Sequence, residues 1–258
     1  MPAMADTSVA EGIYLPILMY HSILQNPGRQ GNYVVSPEVL AQDLAYLAEN
    51  GYSAISAAQL IAYVHEGDPL PEKPVMITFD DGFLNNLTHA VPLLEKYDMC
   101  AIISVVGSYT ELYSGSDDHN PAYAYLSYTD ICEAAASGYI EIGNHSYDMH
   151  NKNNRVGTTR KPGENKEDYH AALYADLIQV QEKIYENCGF NPVVFAYPFG
   201  RIEKSSREIV KAIGFKMSLG CGEVVNIITR DPEYLYLLGR FNRAAGTSTE
   251  SFMKRIQY

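Results

Sequence analysis

Two aspartates stand side by side, Asp80 and Asp81, in "VMITFDDG" (75–82), directly behind a run of apolar and β-branched residues. A run so continuous reads as a strand buried on both faces, and strand ends are where a parallel barrel gathers its functional groups. Successive strand side chains leave on opposite sides, so the two carboxylates diverge and can take different tasks. Gly82 lets the backbone turn sharply behind them. For a single aspartate the other reading is a helix N-cap, ahead of a helix beginning near Asn85; a pair is harder to explain that way. A second polar strand end follows in "NHSYDMH" (144–150), where His145 and His150 lie five positions apart. On a helix that offset would set them about 140° apart around the axis, so shared ligation needs a turn or loop. Two imidazoles and one carboxylate are a common three-ligand set for a hydrolytic zinc, with a fourth position left for water. Asp81, His145 and His150 fit that set, whereas His65, His89, His119 and His170 have no partner pattern.

Holding such groups together takes several strand ends at one mouth. Apolar runs recur as "LPILMYH" (15–21), "CAIISVVG" (100–107), "YIEIGNH" (139–145), "VVFAYPFG" (193–200) and "YLYLLGRF" (234–241). Between them lie amphipathic segments with helix punctuation: Ser36 followed by Pro37, and a Ser56/Gln59 capping box. Gly51-Tyr52, Gly138-Tyr139, Gly189-Phe190 and Gly214-Phe215 each close a helix on a glycine suited to the left-handed conformation. Helices alternating with buried strands predict an α/β fold, an irregular (β/α) barrel of about seven parallel strands in a single domain, with a doubly wound open sheet as the other possibility. The polar stretch 151–170 reads as an inserted loop at the active face, ahead of a helix from about Glu167 to Asn187.

The 258 residues carry 31 acidic against 19 basic side chains, a formal charge of −12, which opposes nucleic acid and anionic membrane surfaces as partners. No stretch approaches the ~20 apolar residues of a spanning helix, so no membrane insertion is expected of this chain. Residues 1–13 read as a polar linker ahead of a catalytic domain over 14–258, and an exported protein trimmed of its signal or anchor fits that start. Cys100, Cys132, Cys188 and Cys221 form no CxxC pair and read as buried small hydrophobes. The tyrosines of "PAYAYLSY" (121–128) are either a rim on which a ligand stacks or half-buried packing.

"TFDDG" (78–82) with "HSYDMH" (145–150) resembles the first two motifs of the polysaccharide deacetylase family, carbohydrate esterase family 4 or the NodB homology domain. The likeness extends to "LMYHSI" (18–23), "SGYIEIGNH" (137–145), "FAYPFG" (195–200) and "IGFKMSLG" (213–220), and so covers nearly the whole chain. It implies a (β/α) barrel and metal-dependent hydrolysis of N-acetyl or O-acetyl groups on sugars. By the family pattern Asp81, His145 and His150 bind one divalent metal ion, zinc in the first place, with cobalt, nickel, iron or manganese able to replace it. Asp80 would be the general base, and the backbone N–H of Phe199 would stabilise the oxyanion.

Two departures stand out. Many members begin the third motif with an arginine that holds the catalytic aspartate; Ala196 occupies that place here, and Arg240 of "LLGRFNR" is the candidate to reach Asp80 instead. Many members also end on a histidine that serves as general acid, but this chain has none after His170. His21, closing "LPILMYH", is the candidate, as in the subgroup with permuted motif order that deacetylates poly-N-acetylglucosamine in biofilms. Adjacent carboxylates would raise its pKa and ready it to donate. The resemblance thus implies Asp80 and His21 as catalytic residues, with Tyr197, Phe199 and Arg240 at the substrate. The expected substrate is an N-acetylglucosamine-containing polysaccharide or its oligosaccharides, met outside the cell or at its envelope. An O-acetyl esterase acting on xylan and a glycan-binding barrel without turnover are the alternatives.

Overall fold

The apolar runs become staves of one parallel sheet. The computed structural model describes residues 12–151 and 155–257. In chain order the strands are β1 (Ile17–Tyr20), β2 (Ser53–Ala54), β3 (Pro74–Phe79), β4 (Ala101–Val105), β5 (Ile140–Asn144), β6 (Val194–Ala196), β7 (Met217–Leu219) and β8 (Phe241–Asn242). Their spatial order is β7-β6-β5-β4-β3-β1-β8, with β2 paired to the start of β3. The curled sheet is drawn closed by residues 238–242. On one side Leu238 N–H donates to Ser218 O (2.9 Å) and Arg240 N–H to Gly222 O (2.8 Å), and on the other Phe241 and Asn242 register with Leu18 and Met19. The barrel and single-domain expectations hold.

Helices α1 (Pro37–Glu49), α2 (Ala57–Glu66), α3 (Val91–Lys96), α4 (Gly107–Ser114), α5 (Tyr128–Ala136), α6 (Lys166–Cys188), α7 (Ser206–Ile213) and α8 (Thr249–Met253) complete the fold. The helix signals read from sequence are in place: Ser36 Oγ accepts from Val39 N–H, and Ser56 with Gln59 forms the capping box. The four glycines named above all adopt positive φ. Alternation along β3 decides what enters the barrel. Val75, Ile77 and Phe79 join the cluster packed against α1, α3, α5 and α6. Met76 faces Ile17, Ile102, Val194 and Met217 in a separate interior cluster, and Thr78 and Asp80 continue its side of the strand.

Several expectations need correction. "YLYLLGRF" is not one strand: residues 232–235 form a 3₁₀ turn, because Pro232 fits a first-turn position and Asp231 caps it. "LPILMYH" breaks at Pro16, which lacks the ladder donor, and Ile13–Leu15 pairs antiparallel with Asn226–Ile228 instead. The linker boundary at 13 therefore falls inside a strand, while residues 1–11 lie outside the described residues. Of the four cysteines, Cys132 and Cys188 are not independent hydrophobes but a disulfide joining the middle of α5 to the last residue of α6, at 56 residues' separation.

Candidate active site

β3 ends one residue before Asp80, and the chain then takes two consecutive left-handed residues, Asp81 (φ 72°) and Gly82 (φ 73°). A side chain at Gly82 would strike Val105 at 2.9 Å, so only glycine allows this turn. It sends the two carboxylates apart. Asp80 stays inside the barrel, where Arg240 grips it twice: Nη1–Oδ1 and Nη2–Oδ2 are both 2.7 Å. The guanidinium is itself held by Gly220 O (2.8 Å) and Thr78 Oγ1 (3.2 Å) and is fully buried. Burial would push the Asp80 carboxyl up, but Arg240, with help from His145 and His21, outweighs it and holds the group well below the usual carboxylate range.

Asp81 faces the histidines. Its Oδ1 lies 3.7 Å from His145 Nε2 and 3.2 Å from His150 Nε2, and one donor atom of each residue lies within 4.8 Å of the others. The segment carrying the histidines is a turn, not a helix. Ser146 takes φ 69°, its N–H donates to Asn144 Oδ1, and the N–H groups of Tyr147 and Asp148 both donate to the Asp176 carboxylate on α6 (2.8 and 2.9 Å). His145 Nδ1 bonds Ala196 O at 2.8 Å, and as the donor there it leaves an Nε2 lone pair toward Asp81.

The donor set fits a divalent cation. Asp81 Oδ1 is buried with no hydrogen-bond partner among the described residues, although two imidazole nitrogens stand beside it. A shared cation is what would satisfy that oxygen. Without one, burial first and Asp80 second raise the Asp81 carboxyl to about 7, with Arg240 pulling the other way.

These groups open on a cavity of 730 Å³ lined also by His21, Tyr33, Tyr109, Phe199 and Glu223. His21 follows β1 directly and reaches the same mouth, its ring edge-on to Tyr33 (4.8 Å). The expected rise in its pKa is reversed. Burial lowers it to about 4, the pull of Asp80 being too weak to offset the desolvation. Phe199 takes φ 57° and stacks on His150 at 4.2 Å, which places it at the cavity as expected. Asp81, Ser146 and Phe199 are thus three left-handed non-glycine residues around one site, a strain of about 1–3 kcal/mol each that functional sites tend to retain.

Two assignments at the substrate do not hold. Tyr197 is fully buried among Phe195 and Phe215, with its hydroxyl on Ser206 (3.1 Å), so no sugar reaches it. Arg240 is sealed against Asp80, the contact the sequence suggested for it, and does not line the cavity. Tyr125 of the tyrosine-rich stretch packs between Phe83 (4.7 Å) and Tyr109 (4.5 Å), backing the cavity wall. Asp176 had no signal in sequence, since a carboxylate on a helix face looks like any solvated one.

A parallel barrel whose strand ends bring together a two-histidine, one-aspartate set and an arginine-locked carboxylate has the make-up of a hydrolase. The family model for polysaccharide deacetylase matches residues 67–218, and the chain belongs to that family. Among curated proteins it is similar to the poly-beta-1,6-N-acetyl-D-glucosamine N-deacetylase of Escherichia coli K12, 26% identical over 219 residues, or 78% of this chain. The chain spans about a third (33%) of that relative's length. Among solved structures it resembles IcaB from Ammonifex degensii, with 26% identity, a TM-score of 0.77 and coverage of 96% of this chain and 99% of the other. It shares the fold of the Streptococcus pyogenes deacetylase PplD, solved with acetate, at 21% identity and a TM-score of 0.76, covering 96% of this chain and 100% of that one.

Proposed function

We propose that this chain removes acetyl groups from N-acetylglucosamine units of a polysaccharide with the aid of one divalent cation, zinc in the first place, held by Asp81, His145 and His150. The observation that carries the reading is the buried Asp81 Oδ1, without a hydrogen-bond partner among the described residues, beside two imidazole nitrogens at a cavity wide enough for a sugar. The named relatives support the N-acetyl choice. When bound, such a cation polarises the acetyl carbonyl and acidifies water. Asp80, with both oxygens fixed by Arg240, orients the attacking water and takes its proton in passing. Because His21 rests neutral, the proton it hands to the departing amine is the one removed from water, so the proton count closes within the site. The backbone N–H of Phe199 is assigned to the developing oxyanion.

Action outside the cell or at its envelope is part of the proposal. The Cys132–Cys188 disulfide supports it, since such bonds persist in oxidising compartments. Among the described residues no helix is long and apolar enough to cross a membrane. The test measures acetate released from chitin oligomers, poly-N-acetylglucosamine and acetylated xylan, with elemental analysis of the protein. Release from an N-acetylated substrate, lost with chelator and restored by added cation, is expected. Release from xylan alone would move the assignment to an O-acetyl esterase, and no release with no bound cation would leave a glycan-binding barrel.

A further inference from the structure

Directly behind the double aspartate, "FLNN" (83–86) places Asn85 and Asn86, both fully buried, where the chain enters a π-helical turn (Asn86–Ala90) ahead of α3. Side-chain amides are costly to bury and persist where their bonds are used. Apart from a bond from Asn85 Nδ2 to Pro121 O (3.0 Å), here they are spent on three consecutive residues of another segment. Asn86 Nδ2 donates to His21 O (2.7 Å), Asn85 Nδ2 donates to Ser22 Oγ (2.9 Å), and Asn85 Oδ1 accepts from Ile23 N–H (2.8 Å). The turn that leaves the metal-ligand aspartate thus grips the backbone on which His21 stands. Single-turn π segments of this kind are frequent at functional sites.

Two atoms complete the pattern. Asn86 Oδ1 and His21 Nδ1 are both buried without a hydrogen-bond partner among the described residues, and they belong to two residues already bonded to each other. One is an acceptor and the other, in the appropriate tautomer, a donor. His145 Nδ1 has its counterpart in Ala196 O; His21 Nδ1 has none among the described residues.

We propose that Asn86 is the positioning residue of His21: its Nδ2 fixes the main chain, and its Oδ1 accepts from Nδ1–H through one water, which leaves Nε2 as the nitrogen that works on the leaving amine. This rests on the assignment of His21 as the proton donor given above. Asn86 itself touches neither substrate nor cation.

The test compares wild type with Asn86→Leu and Asn86→Asp, each with bound cation measured. Amide hydrolysis needs a protonated leaving group, whereas 4-nitrophenyl acetate expels a good one. Asn86→Leu is expected to lose at least about tenfold in kcat on N-acetylglucosamine oligomers, with KM within about threefold, and less than about threefold on the ester. Asn86→Asp keeps an acceptor and should retain more amide activity than the leucine variant. Equal losses on both substrates, or no loss on the amide, would overturn the proposal. Nitrogen-15 NMR of the His21 ring gives a readout without turnover: one tautomer, protonated at Nδ1, in wild type and a mixture in Asn86→Leu. An unchanged tautomer would also overturn it. If wild type cleaves neither substrate the deacetylase assignment fails, and the NMR comparison then decides the role of Asn86 alone. Should Asn86→Leu not fold, Asn86→Ser replaces it, with the same outcomes expected and the same ones fatal.

Discussion

Arg240→Met removes a charge while keeping most of the volume, and it tests whether the closing stave sets the Asp80 carboxylate. Two bonds of 2.7 Å to Asp80 vanish, as do those to Gly220 O and Thr78 Oγ1. Asp80, only 2% exposed, is left with no counter-charge. Breaking a buried pair in this way costs about 3–5 kcal/mol, a large part of the roughly 5–15 kcal/mol that holds a domain together. For a chain of this size the melting midpoint should fall by about 6–20 °C. The pH dependence reverses sign. In wild type the depressed Asp80 pKa contributes stability above the ordinary carboxylate range, lost as pH falls toward the folded-state value. In the variant burial alone raises that pKa, so charged Asp80 costs stability near neutral pH and the gap to wild type narrows in acid. Asp80→Asn in the Arg240→Met background removes the stranded charge and should recover at least about half of the loss, measured by urea titration at neutral pH. If Arg240→Met stays within about 0.5 kcal/mol of wild type, or the double variant is no more stable than the single, the pair does not set the site.

Three further outcomes are expected. In metal-free protein Asp81 titrates at about 7 rather than near 3.8, so its charge costs about 4 kcal/mol above that pH. Asp81→Asn should therefore be more stable than metal-free wild type at about pH 8, the difference fading as pH falls toward 4; stability curves at a series of pH values check this. Asp176→Ala frees the N–H groups of Tyr147 and Asp148 and should weaken cation affinity about 10–100-fold in calorimetric titration, without loss of the fold. Reduction of Cys132–Cys188, which closes a loop over 56 residues, should lower unfolding free energy by about 4 kcal/mol in denaturant titration while activity persists, since the bond lies away from the cavity.

What could be read from the sequence follows the range of each interaction. Asp80, Asp81, His145 and His150 sit at the ends of buried runs, and their spacing within two short motifs carries the site. The strand ends were legible for the same reason, because burial on both faces leaves an unbroken apolar signature. Tyr197 lies in just such a signature, and only the side of the strand, set by tertiary register, turns it away from the sugar. "YLYLLGRF" failed because Asp231 and Pro232 start a 3₁₀ turn that local chemistry favours over the apolar pattern. The disulfide was illegible, since 56 residues separate its halves and nothing local marks them.

Arg240 shows how barrel closure brings together residues far apart in sequence. Closing the barrel makes residues 238–242 neighbours of β1 and β7, so a guanidinium at residue 240 reaches Asp80 on β3's continuation across the interior. The constraint acts on the place in the ring, not on the place in the sequence. His21, at the end of β1, meets the same mouth by the same closure, and the pKa reversal follows from it as well. The closure that brings His21 to the mouth also desolvates its ring more than the pull of Asp80 can offset. On the proposal that His21 is the donor, its proton must arrive during the reaction, and the rate of amide hydrolysis should follow the delivery of that proton more closely than the resting charge of the histidine.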